Sequence, residues 1–161
     1  MNRANGQRNY SDTEENITQM AMTMKKTALI TGATSGIGEA CARKFAAGGY
    51  NLIITGRRAD RLEEIKTALE AMGAEVVTLA FDVRDAEAAT KAIASLGEGW
   101  QEIDVLINNA GLALGLDKEY EGDPTDWNTM IDTNIKGLLT MTRLVVPGMV
   151  ARNRGHVINI G

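Results

Sequence analysis

Only one cysteine and one histidine occur in 161 residues. A chain so equipped builds no internal disulfide framework and no structural zinc site, which takes four such ligands, so no metal is expected. Cys41, within Glu39-Ala40-Cys41-Ala42, reads as a small helix-packing residue in a reducing compartment, with redox chemistry as the alternative. Positive charge is also short. The 17 Lys and Arg face 21 Asp and Glu, a formal net charge of −4, which argues against a protein that coats nucleic-acid phosphates. Residues 1–24 hold no sustained apolar segment, so they form neither a secretory signal nor a membrane span. Repeats and low-complexity linkers are missing too. What is there, 44% hydrophobic and 24% charged residues, suits one globular domain or most of one.

The polar segment 1–24 reads as a disordered extension, or as the product of an upstream start, with Met20, Met22 and Met24 as alternatives to Met1. Its Asn16-Ile17-Thr18 matches a glycosylation sequon by chance, since no secretion signal accompanies it. The domain proper is 25–161.

From Lys25 onward, short apolar runs alternate with amphipathic stretches. Strands are expected at Thr27–Thr31, Asn51–Thr55, Val76–Phe81, Ile103–Ile107 and His156–Ile160, with helices at Gly36–Ala47, Ala59–Met72 and Asp85–Leu96. Strands apolar on both faces point to a parallel sheet covered by helices on each side. The fold class is therefore α/β, a Rossmann-type doubly wound sheet in three layers, in strand order 3-2-1-4-5, truncated after about strand five. A long helix should run from about Thr125 to Arg152. Asp123 suits its N-cap, Pro124 its first position, and Asp126 a side chain reaching back. Arg152 and Arg154 complement its negative end, Gly155 closes it in a left-handed conformation, and Pro147 should mark a kink or boundary. His156 reads as the start of strand five rather than an acid–base group.

Thr31-Gly32-Ala33-Thr34-Ser35-Gly36-Ile37-Gly38 follows the first strand and opens the first helix. Gly32 allows the tight turn, Gly36 lets a pyrophosphate approach the backbone, and Gly38 lets helix and sheet pack closely. The helix's unpaired N–H groups then face phosphates, which makes Gly32, Thr34, Ser35, Gly36, Ile37 and Gly38 candidate cofactor-binding residues. An ordinary strand-to-helix turn is the alternative. About twenty residues on, a dinucleotide fold places an acid that binds the ribose diol. Here Gly56 takes that position and Arg57 and Arg58 follow, two guanidiniums able to surround a 2′-phosphate, so NADP is the expected cofactor rather than NAD. Solvated loop arginines are the other reading.

Four motifs now stand in order: the glycine turn, Asn108-Asn109-Ala110-Gly111, Asn134-Ile135-Lys136-Gly137, and Gly155-His156-Val157-Ile158-Asn159-Ile160-Gly161. Together they resemble the short-chain dehydrogenase/reductase family across Lys25–Gly161. More narrowly, Thr55-Gly56-Arg57-Arg58, Asn108–Gly115 and Met130-Ile131-Asp132-Thr133-Asn134 resemble its NADP-dependent 3-hydroxy acid and serine dehydrogenases. The resemblance implies that Asp82 and Val83 contact the adenine ring, that Asn109, Ala110 and Gly111 form the turn beneath the cofactor, and that Asn108 and Thr31 brace the central strands. It implies that Asn134 is the catalytic-site Asn, holding a water in the proton path. Leu112, Ala113 and Leu114 line an apolar wall or simply pack.

The same family uses a Ser, a Tyr and a Lys four residues after the Tyr, and none of these positions is present. Tyr10, Tyr50 and Tyr120 are followed four residues later by Glu14, Ile54 and Pro124. The implied protein is a cytoplasmic oxidoreductase acting on a small hydroxy acid or related alcohol or carbonyl, homo-oligomeric in its complete form, with these 161 residues inactive alone. The other reading is a non-catalytic NADP-binding or interaction module.

Overall fold

The computed structural model describes residues 25–115 and 118–161, so the extension 1–24 and its possible starts lie outside the described residues. Five strands, β1 (Thr27–Ile30), β2 (Asn51–Gly56), β3 (Val76–Ala80), β4 (Ile103–Asn108) and β5 (His156–Asn159), pair in parallel in the order β3-β2-β1-β4-β5. That is the doubly wound order, with every crossover supplied by a helix. Helices α1 (Gly36–Ala47), α2 (Ala59–Glu70) and α3 (Ala86–Ala94) join the first four strands.

In register, Ala28 lies opposite Leu52 and Val105, and Leu29 opposite Ile53 and Leu106. Alternate residues point to alternate faces. Ala28, Ile30, Leu52 and Ile54 therefore pack on Ala42, Leu62 and Ile65 of α1 and α2. Leu29, Ile53 and Leu106 pack on Ala89 and on Met141 and Val145 from the other side. Both layers are apolar apart from a few buried polar residues near the strand ends, such as Thr27, Thr55 and Asp104, which is why these strands carry no polar alternation. Each buried Ile or Leu of this kind contributes about 1.5–3 kcal/mol. By contrast, three of the four β5 residues are exposed.

Local chemistry fixes the element ends. Asp85 caps α3, its carboxylate accepting from the Glu87 and Ala88 N–H groups. Asp123 caps α4 (Pro124–Ile131) by accepting from Thr125 N, with Pro124 in the first turn. Asp126 does not reach back: the bond there is its own backbone N–H to the Asp123 carbonyl.

The long helix departs from expectation in three places. Between α4 and α5 (Leu138–Ala151), residues Asp132–Gly137 take π-helical hydrogen bonding, so the irregularity lies there. Of the kink or boundary expected at Pro147, the boundary is absent, since α5 runs through it. Pro147 and Arg143, whose carbonyl loses its donor, are both exposed, so the missing N–H falls on the solvent side of the helix. The left-handed residue after the helix is Asn153, with φ 49°, rather than Gly155. Gly155 is needed for space instead, since a Cβ there would come within 2.5 Å of Met149 Cγ and Sδ. Arg152 donates to the Ile103 carbonyl at 2.9 Å, and Arg154 Nε pairs with buried Asp104 Oδ1 at 2.8 Å without hydrogen-bond alignment. Both arginines thus tie the helix end to β4.

Candidate functional site

The site is built at the C-terminal ends of β1 and β4, where the strand order changes direction. Gly32 has φ +66°, a conformation that disfavours any side chain, and a Cβ there would come 2.8 Å from Ala110 Cα. Gly38 at the start of α1 is buried, and a Cβ there would collide with the Gly32 carbonyl and the Asn109 amide. Gly36, at φ +56°, has open space where its Cβ would stand.

Thr31 holds the two crossing turns together. Its hydroxyl accepts from Asn109 N and Ala110 N, each at 3.0 Å, and donates to the Ile107 carbonyl at 3.4 Å. Asn109 Nδ2 returns two bonds of 3.0 Å to the Thr31 and Gly32 carbonyls. The brace to Thr31 therefore comes from Asn109 and not from Asn108. One residue of strand phase decides this: Asn108 points instead to Thr142 Oγ1 at 3.1 Å and Asn159 Oδ1 at 2.9 Å, linking β4 to α5 and β5.

A cleft of about 860 Å3 opens above these turns, within the range of small-molecule and cofactor sites. Gly32, Thr34, Ser35 and Ile37 form one wall, Arg57, Arg58, Asp82 and Val83 another, and Asn109, Ala110, Gly111 and Asn134 the floor and far side. Gly36 and Gly38 do not line it; Gly38 acts from beneath by letting the turn pack. Of the apolar trio only Leu112 reaches the cleft, while Ala113 and Leu114 do not.

The electrostatics are uneven. Arg58 donates to both the carbonyl and the hydroxyl of Thr34, each at 3.0 Å. Arg61 on α2 also reaches the Thr34 carbonyl, at 3.4 Å, while pairing with Glu39 at 3.0 Å and Glu64 at 2.7 Å. Hydrogen bonding by Arg43 is the main cause that holds the Glu39 carboxyl below its ordinary range, with Arg61 adding and burial opposing. Asp82 is likewise depressed, first by hydrogen bonds from the Arg84 side chain, with the charge of Arg57 adding and desolvation opposing. Its carboxylate is thus engaged by Arg84, at 2.7 Å.

Asn134 lies within the π segment, a form of backbone frequent at functional sites. Its Oδ1 accepts from Leu112 N at 2.9 Å and its Nδ2 donates to the Leu112 carbonyl at 2.8 Å, a two-point clamp on the loop after β4. Gly137, three residues on, leaves room for Val83: a Cβ there would stand 2.8 Å from Val83 Cγ2.

Several lining residues were not found by sequence reasoning: Phe81, Thr133, Leu138, Asn159 and Ile160. Only Asn159 carried a signal, as a polar residue inside an apolar strand. Arg61 was also missed, because its partners Thr34 and Glu39 lie 27 and 22 positions away.

A model of the short chain dehydrogenase family matches residues 26–161. A probable NADP-dependent dehydrogenase of Haemophilus influenzae is 57% identical over 134 residues, 83% of this chain and 52% of that protein. The NADP-dependent 3-hydroxy acid dehydrogenase of Salmonella typhi is 54% identical over 133 residues, with the same coverage of 83% and 52%. Among solved structures, the closed form of serine dehydrogenase complexed with NADP+ is 50% identical and superposes with a TM-score of 0.77, covering 84% of this chain and 53% of that one. The chain spans about half the length of the curated relatives it matches.

Proposed function

The chain belongs to the short-chain dehydrogenase family, and we propose that it is the cofactor-binding portion of an NADP-dependent oxidoreductase that moves a hydride between NADP(H) and a small 3-hydroxy acid or related alcohol or carbonyl. One observation carries this reading: a single cleft joins the glycine turn, the Asn109–Gly111 turn, and Arg57 and Arg58 next to Gly56, the position where an acid would bind a ribose diol. The residues fit the cofactor. Two guanidiniums match a 2′-phosphate in charge and donor geometry, and the turn at Gly32–Gly38 directs the N-terminus of α1 toward a pyrophosphate. The names of the relatives, NADP-dependent and acting on 3-hydroxy acids, support the same assignment.

In this reading Gly32, Thr34, Ser35 and Ile37 receive the pyrophosphate and its riboses, with Gly36 shaping the turn between them through its positive φ, Asp82 and Val83 border the adenine, and Asn109, Ala110 and Gly111 support the nicotinamide half. When bound, the cofactor supplies or accepts the hydride at its nicotinamide ring. Asn134 fixes the Leu112 backbone beside it and keeps one amide hydrogen and one lone pair for a water in the proton path. Hydride transfer also needs a proton on or off the substrate oxygen. Among the described residues no Tyr or Lys lines the cleft, and on this reading the 161 residues alone are expected not to turn over. That observation also favours a second reading, an NADP-binding module without catalysis. An apolar row on the long helix, Trp127, Ile131, Ile135 and Leu139, is exposed at four-residue spacing and supports a homo-oligomer in the complete form. We place that form in the cytoplasm; no helix among the described residues is long and apolar enough to cross a membrane.

Titration with 2′,5′-ADP and with 5′-AMP isolates the phosphate contact: the 2′-phosphate should tighten binding at least about tenfold, the scale of one charge-assisted hydrogen bond. Equal affinities would remove the basis for NADP. Cofactor-dependent turnover of serine by the purified 161-residue chain would show that these residues hold a proton donor of their own, whereas turnover only in a chain carrying a Tyr-x3-Lys pair excludes the non-catalytic module.

A further inference from the structure

Thr34 and Gly56 come from different elements but meet at one point. A Cβ built on Gly56 would stand 2.6 Å from Thr34 Cγ2, closer than two carbons approach without bonding. Retreat is opposed on both sides. The backbone beneath them is pinned, because Ala33 N donates to the Thr55 carbonyl at 2.9 Å, one residue before each. The Thr34 side chain is pinned as well. A β-branched residue has few χ1 choices, and this one has its hydroxyl and carbonyl both held by Arg58 at 3.0 Å, with Arg61 on the carbonyl at 3.4 Å. Rotating the methyl away from Gly56 would break the bond from Arg58 to the hydroxyl.

We propose that Thr34 is a specificity-determining residue: its methyl group, held over Gly56 by the guanidiniums, bars from position 56 the acidic side chain that would bind a ribose diol. The inference rests on the reading of position 56 as the ribose-binding position, and it adds a steric cause to the electrostatic one. Arginines that attract a 2′-phosphate and a methyl that excludes its competitor are two separate sources of discrimination, one attractive and one repulsive. On this account an Asp at position 56 does not by itself create an NAD site, because its Cβ has nowhere to go.

Thr34→Ser provides the test, since it deletes the obstructing methyl and keeps the hydroxyl that accepts from Arg58. NAD+ and NADP+ affinities are measured by calorimetry for the unmodified chain, Gly56→Asp, Thr34→Ser and the double variant. The expected result is that Gly56→Asp alone binds both dinucleotides more weakly, and that adding Thr34→Ser raises NAD+ affinity by about tenfold or more over Gly56→Asp alone, the scale of a relieved overpacked contact. A single Gly56→Asp variant that binds NAD+ as tightly as the double variant overturns the proposal. Thermal melting of the ligand-free chain tests the contact without any cofactor. Gly56→Ala should lower the melting temperature, and Thr34→Ser in the same chain should recover part of the loss; strictly additive effects of the two substitutions would also overturn it. Should the unmodified chain prefer neither dinucleotide, the assignment of NADP fails by itself, and the melting cycle still decides whether the methyl excludes a side chain.

Discussion

Two irregular pieces of backbone border the cleft, the turn Thr31–Gly38 and the π segment Asp132–Gly137, and they hold their shapes by different means. The turn is fixed by what its residues lack. Gly32 and Gly36 have positive φ, and Gly38 leaves no room for a side chain against the Gly32 carbonyl. The π segment is built from residues with ordinary right-handed dihedrals, such as Gly137 at φ −59° and ψ −45°. Its register is matched by contacts from elsewhere: Val83 against Gly137, and Asn134 clamped to Leu112. A region locked by backbone sterics fails completely when one atom is added, whereas one held by tertiary contacts fails in proportion to the contact removed.

The largest effect should therefore come from the turn. Gly38→Ala places a methyl against main-chain atoms that cannot rotate away, and we expect a loss of about 3 kcal/mol or more, the upper end of overpacking, together with loss of detectable dinucleotide binding. Denaturant unfolding and calorimetry report both. In the π segment, Gly137→Ala meets Val83 Cγ2 at 2.8 Å and Cβ at 3.0 Å, with the nearest main-chain atom farther off at 3.3 Å, and alanine's better helix propensity offsets about 1 kcal/mol, so the net loss should be about 1 kcal/mol. If the two substitutions cost the same, the distinction between the regions is wrong.

Asn134→Ala sharpens the comparison further. It removes two exposed hydrogen bonds to Leu112, about 1 kcal/mol in all. Hydrogen exchange at the Leu112 amide should rise while exchange in the glycine turn stays as it was; unchanged protection at Leu112 would mean that the clamp does not hold the loop. The smallest effect concerns acid. Asp82 has its folded pKa lowered chiefly by Arg84, so its stabilisation is complete above the ordinary aspartate pKa and is lost as pH falls through the depressed folded value. Arg84→Ala should flatten the acid limb of a melting-temperature profile slightly and leave neutral pH almost unaffected, whereas a change concentrated near neutrality would show that another group is responsible.

The contrast between these regions also explains what could be read from sequence. Strand order, both core faces and the glycine turn follow from local properties: apolar runs such as Leu52–Ile54, and glycines where side chains would collide. The π register is invisible, because no residue in Asp132–Gly137 is unusual and the contacts that match it are up to 54 positions distant, Val83 to Gly137. Sequence alone places the brace on Asn108 instead of Asn109 for a related reason: side chains of adjacent residues at a strand end point to opposite faces, and a one-residue difference changes the partner entirely. Closure of the long helix by Asn153 was missed because Gly155 is the commoner left-handed residue, although here its lack of a side chain serves Met149.

The central claim is that the cleft prefers a dinucleotide bearing a 2′-phosphate, and calorimetric titration of the unmodified chain with NADP+ and NAD+ under identical salt and pH tests it most directly. The account predicts tighter binding of NADP+, with the difference reduced about tenfold or more by Arg57→Ala, the scale of one charge-assisted contact. Equal affinities, or tighter binding of NAD+, would contradict it.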